Sequence, residues 1–129
     1  MNRTMEGLVG APRGAAFALL GVEGRPVNLG VEVAASITQR LRGWLGRVQA
    51  PRERGLWIVP CDAVHTLAMK FPIDLVFVIG GGRFLRIDAA VPPWRVRVCL
   101  GAHSVIELEA GQAARLGLEV GDCLERRRV

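Results

Sequence analysis

Apolar positions in this chain alternate with polar ones over short stretches and seldom follow a helical period. Val27, Leu29, Val31 and Val33 take every second position between residues 27 and 34, the pattern of a strand with one buried face. Residues 15–22 predict a strand before it, with Glu23-Gly24-Arg25-Pro26 as the turn between them. Leu56–Pro60 predicts a third strand, and His65–Met69 a shorter extended piece ended by Phe71-Pro72. Leu75-Val-Phe-Val-Ile79 is apolar on both faces, as expected of a central strand covered on two sides. Gly80-Gly81-Gly82 then turns the chain into a hairpin partner over Arg83–Asp88.

After the rigid corner Val91-Pro-Pro-Trp94, alternation resumes. Over Arg95–Leu100 it predicts Val96, Val98 and Leu100 inward and Arg95, Arg97 and Cys99 outward. Over Ser104–Glu109 it predicts Ile106 and Leu108 inward and Glu107 and Glu109 outward, so that paired strands would set arginines against glutamates. Two helical pieces interrupt the pattern. Ser36-Ile-Thr-Gln39 has the form of a capping box and opens a short helix with Ile37, Leu41, Trp44 and Leu45 on one side. Gln112–Leu116 predicts a helical turn stopped by Gly117, burying Leu116, Leu118 and Val120, before a last strand near Cys123–Arg126. The fold class expected is mainly β (α+β): a single-domain antiparallel sandwich or small barrel with two short helices. Residues 1–14 form a fraying arm and residues 15–129 the domain.

Composition narrows the picture. At 129 residues, half of them apolar and with mean hydropathy +0.29, the chain suits one domain with one core. Its longest apolar runs are about five or six residues, against the ~20 needed to span a bilayer. Of the net charge of +5, three units come from Arg126–Arg128. With no Tyr to interleave the arginines, a nucleic-acid surface is not expected. Three widely spaced cysteines make poor material for a disulfide framework and point to the cytoplasm. Ala15–Leu20 resembles a brief signal-peptide core, but Glu6 and Glu23-Gly24-Arg25 flank it wrongly, and a first strand explains the same residues.

Candidate chemistry concentrates in Cys61–Asp74, where a thiol, an imidazole, an ammonium and a carboxylate lead into the most apolar strand. Buried polar groups need partners, so this segment is a structural corner or a site. The surface expected to bind centres on Cys61, His65, Lys70, Asp74 and Trp94. Its ligand is a small molecule or a protein, and no cofactor is expected. Two alternatives remain. Cys61 with His65 would make a thiolate–imidazole pair for a small hydrolase or transferase. Cys61, His65, Cys99 and His103, a repeated Cys-x3-His, would make a zinc set. A Gly-x-Ser-x-Gly elbow and a phosphate-cradling loop before a helix are both missing from the sequence. The phrase Leu108–Asp122 has the glycine-capped turn and Val-Gly-Asp of PDZ domains, without their carboxylate-binding loop, and is read as structural.

Several of these segments together resemble a known family, the domain of unknown function 192 family. They are Arg40-Leu-Arg-Gly-Trp-Leu-Gly-Arg47, Cys61-x3-His-Thr-x2-Met-Lys-Phe-Pro-Ile-Asp74, Pro93-Trp94, and Val105–Gly111 through Gly121-Asp122, in order over residues 27–125. The resemblance implies a jelly-roll-like β-sandwich with short helices. It implies no activity and no catalytic residues. The chain departs from many relatives at His65-Thr66, where an aromatic-Met pair is usual, and at Trp44, where a smaller Leu is usual. Many members are exported, which sets the resemblance against the cytoplasmic expectation.

Overall fold

A computed structural model describes residues 17–22, 25–34 and 54–127. In chain order these form β1 (Phe17–Val22), β2 (Arg25–Ala34), β3 (Arg54–Ile58), β4 (Ala63–His65), β5 (Ile73–Val78), β6 (Phe84–Val91), β7 (Val96–Val98), β8 (Ser104–Glu109), one helix α1 (Gln112–Arg115), and β9 (Leu124–Arg127). Seven strands make one sheet in the order β6-β5-β8-β3-β2-β1-β9, while β4 and β7 pair as a separate ribbon. The expected helix over 36–47 and the arm over 1–14 lie outside the described residues.

The sheet is antiparallel except between β2 and β3, which run parallel from Gly30↔Arg54 to Ala34↔Ile58. That corrects the expectation of a wholly antiparallel arrangement. A tight turn suffices to reverse a strand, whereas a parallel neighbour needs a crossover of a dozen or more residues. Residues 35–53 supply that length between β2 and β3.

β5 is an interior strand covered on both faces, as its sequence suggested. All six of its residues are buried, with β6 on one side and β8 on the other. Ile73, Leu75 and Phe77 join one apolar cluster with Leu56, Ile58, Val105 and, from the overlying segments, Cys61, Val64, Met69, Phe71 and Cys99. Val76 and Val78 join a second cluster on the opposite face with Trp57, Phe84, Ile106, Leu108 and, from around α1, Ala113 and Leu118. Each fully buried side chain of this size contributes about 1.5–3 kcal/mol. Trp57 enters the second cluster without stranding its indole, because Nε1–H donates to Ser104 Oγ at 2.9 Å.

Arg95 is exposed as expected, but over 96–100 the two-residue period is present with its sense reversed. Val96, Val98 and Leu100 are exposed, while Cys99 is buried and Arg97 turns toward Asp88, Nε to Oδ2 at 3.7 Å. β7 pairs with β4 and not with β8, so its arginines never meet Glu107 and Glu109. Alternation sets which residues share a face, and the neighbouring element decides which face is buried. Beneath the ribbon, Arg86 grips Asp88 through Nε–H to Oδ1 at 2.9 Å and Nη2–H to Oδ2 at 2.7 Å. It also lies 4.9 Å from the Phe77 ring centroid. Glu107, expected outward, is buried, and Val120, expected inward, is exposed.

An isolated antiparallel bridge joins Arg83 and Cys123, immediately before β6 and β9, the two edge strands of the main sheet. Gly82, just before this bridge, has φ +93°, a conformation that glycine adopts freely. Among the described residues no helix is long and apolar enough to cross a membrane.

Candidate functional site

Two polar side chains in the stretch running from β4 into β5, Thr66 and Asp74, are almost fully buried. Thr66 follows β4 directly. Its hydroxyl donates to Pro92 O at 2.7 Å and accepts from Arg95 N–H at 2.9 Å. Its backbone N–H donates to Arg95 O at 2.8 Å, and its carbonyl accepts from Trp94 N–H at 2.9 Å and Met69 N–H at 3.2 Å. Two successive prolines remove two donors from the Val91–Trp94 loop. The loop must therefore be held through its carbonyls and the flanking N–H groups. Thr66 serves both needs.

Asp74, on the second-cluster face of β5, is 0% exposed. Oδ1 accepts from Ala90 N–H at 2.8 Å, and Oδ2 accepts from Gly111 N–H at 3.0 Å and Ala113 N–H at 2.9 Å. Gly111, the N-cap residue of α1, has φ 93° and offers no side-chain cap. The carboxylate of a strand distant in sequence does that work, where negative charge is favoured at a helix start.

The candidate site residues divide by depth. His65 and Lys70 are exposed and Trp94 is 63% exposed. Cys61 is buried in the first cluster, its thiol donating to Ala63 O at 3.0 Å. Asp74 sits on the other face of the sheet. The structure thus brings His65 and Trp94 to the outer side of one corner: His65 is the cross-strand partner of Val96, and Trp94 N–H binds the carbonyl of Thr66, next to His65. Lys70 follows four residues after Thr66. Cys61 and Asp74 support the surroundings from within and do not share that surface.

The two Cys-x3-His segments are neighbours through their backbones, with Cys61 N–H donating to His103 O and Cys99 N–H to Asp62 O, each at 2.8 Å. Their side chains part company. Both thiols are buried and both imidazoles exposed. Among the described residues no three His, Cys, Asp or Glu side chains come together to hold a metal. Of the proposed thiolate–imidazole pair, Cys61 is buried and His65 exposed.

Sequence reasoning passed over Thr66 and the Arg86–Asp88–Arg97 group. Threonine is usually exposed, so its burial carries no signature of its own. The signal available was the Pro92-Pro93 pair, which calls for an outside anchor. Trp94 has φ 65°, a left-handed conformation rare for a bulky residue. It costs roughly 1–2 kcal/mol and is sustained by the bonds from Thr66.

Sheet, ribbon and corner define a mainly β domain with an aromatic and polar surface feature. The profile of the DUF192 family, described as "Uncharacterized ACR", matches residues 19–126, and the chain belongs to that family. The fold is similar to a crystal structure from Sinorhizobium meliloti 1021 described as a "putative transcription regulator". Identity is 26% and the TM-score 0.76, covering 86% of this chain and 94% of that one. It is also similar to a protein of unknown function from Novosphingobium aromaticivorans DSM 12444, at 23% identity and TM-score 0.73, covering 90% and 91%. No curated protein matches the chain.

Proposed function

We propose that this chain is a non-catalytic binding module whose contact surface is the corner carrying His65, Lys70 and Trp94. Cys61 packs beneath it, while Asp74 acts on the opposite face of the sheet, fixing the end of β6 and the start of α1. Its ligand is a small molecule or a protein. The observation that carries the reading is Trp94: a large indole held in the left-handed region and turned mostly to solvent. Burial would stabilise such a side chain by a few kcal/mol, so its exposure at a strained position speaks for presentation to a partner.

Three finer points belong to the same proposal. The domain spans residues 15–129 after an arm over 1–14. Its sheet curls toward a sandwich or small barrel of jelly-roll type, supported by the Arg83–Cys123 bridge between the approaches to the two edge strands. It works in the cytoplasm, in keeping with Cys61, Cys99 and Cys123 forming no disulfide with one another.

The test is native mass spectrometry of the untagged protein and of Lys70→Ala/Trp94→Ala. Neither side chain is buried, so the double variant folds. Loss of a co-purifying ligand or partner in the folded variant supports the reading. Retention of the same ligand by the variant removes it.

A further inference from the structure

The reversed strand β7 leaves apolar side chains where water meets them. Val96 and Val98 are 58% and 50% exposed, and Leu100, at the turn just beyond, is 83% exposed. Trp94 stands at the other end of the strand. Val96 and Val98 share the ribbon's outer face with their partners His65 and Ala63. Side chains exposed to this degree project from the body and do not line a hollow. A set of exposed apolar groups like this marks a site of contact with protein or lipid.

Two observations decide between those partners. The first concerns the strand edge. Val98 O accepts from Arg86 Nη1–H at 3.0 Å and Val96 O from Arg97 Nη1–H at 3.1 Å. Arginines covering these carbonyls obstruct a partner strand from adding to β7. What remains available is the face and its projecting side chains.

The second is charge. Asp88 is taken up by Arg86 and Arg97. Lys70 and Arg95 are exposed, and neither meets a carboxylate among the described residues. Arg95 reaches only the carbonyls of its own loop, Trp94 O at 3.3 Å and Pro93 O at 3.4 Å. Asp62 is the exposed acid of the same ribbon. Arg95 adjoins Trp94, and Lys70 follows the turn closed by Met69 N–H on Thr66 O, the carbonyl that also takes Trp94 N–H. A projecting indole and leucine together with these exposed cations match the boundary between anionic headgroups and acyl chains. There tryptophan is favoured, and each basic side chain adds attraction.

We propose that the outer face of the β4–β7 ribbon, with Trp94 and Leu100 as insertion points and Lys70 and Arg95 as charge contacts, docks reversibly on an anionic lipid bilayer. This rests on reading the Trp94 corner as a binding surface, and it goes beyond a small-molecule or protein ligand to a lipid surface.

The full-length protein is floated with phosphatidylcholine vesicles, with and without phosphatidylserine, at low and physiological salt. It is expected to float with the phosphatidylserine vesicles and to be released by salt. Trp94→Ala and Leu100→Ser should each weaken partitioning about tenfold. Lys70→Glu/Arg95→Glu should weaken it roughly thirtyfold or more and abolish the preference for phosphatidylserine. Arg115→Glu, on α1, should change little. Leu100→Ser alters a side chain outside both core clusters, so it remains informative if the tryptophan variant folds poorly.

Absence of flotation at low salt overturns the proposal. So does binding indifferent to Trp94→Ala and Leu100→Ser, or a loss with Arg115→Glu equal to that of the Lys70/Arg95 variant, which would reflect net charge alone. If flotation fails while native mass spectrometry retains a Trp94-dependent partner, the lipid assignment falls and the binding reading stands. If both fail, both fall.

Discussion

Asp74 shows how far one side chain's meaning depends on what the chain brings to it. Its carboxylate accepts three backbone N–H groups, from the end of β6 and the start of α1. Asp74→Ala would leave those donors unmatched, the one from Ala113 in a buried place. We expect a loss of about 3 kcal/mol or more, read as a lower midpoint in urea unfolding with little change in slope. Thr66→Val keeps the shape but removes the hydroxyl that joins Pro92 to Arg95. It should cost about 1–3 kcal/mol and free the Trp94 loop, seen as faster amide exchange at Trp94 and Arg95. From the sequence Asp74 could be singled out as a carboxylate at the mouth of an apolar strand. Its partners could not, because they lie 16 to 39 residues away.

At the scale of elements, the ribbon gives the sharpest contrast. Val64 and Val96 lie on adjacent strands of the same two-stranded unit and are chemically identical. Val64 is buried in the first cluster and Val96 is exposed. Val64→Ala should destabilise by about 1.5–3 kcal/mol, whereas Val96→Ala should stay within about 0.5 kcal/mol. A common unfolding assay compares the two directly. If Val96→Ala cost as much as Val64→Ala, the inverted sense of β7 would be wrong. Strand positions over 54–58, 73–78 and 104–109 were legible in the sequence because their apolar pattern is shared by every plausible packing. β7 was not, since both of its faces have acceptable solutions. Its valines tolerate water, and its arginine finds Asp88.

For the whole molecule, the main sheet depends on close approach at its middle. A Cβ placed on Gly55 would lie 2.8 Å from Leu108 Cδ2, 3.1 Å from Val31 Cγ1 and 3.2 Å from Glu107 O. Gly55→Ala should therefore destabilise by about 1–3 kcal/mol through overpacking, at the point where β2, β3 and β8 adjoin. Amide exchange should be slowest in β5 and β8, whose residues are flanked by paired strands and covered by a core on each side, and faster in β4 and β7. Exchange as slow in the ribbon as in β5 would contradict that gradient.

By itself the sequence determined the mainly β character, the burial of residues 73–78 on both faces, the glycine-capped helical turn and membership of a family. Those features follow from local periodicity and turn chemistry, which act within a few residues. Only the tertiary structure decided that β2 and β3 run parallel, that β7 turns its valines outward, and that Asp74 caps a helix while Trp94 faces solvent. Each of these is set by partners far along the chain, and a short-range pattern is equally compatible with either outcome.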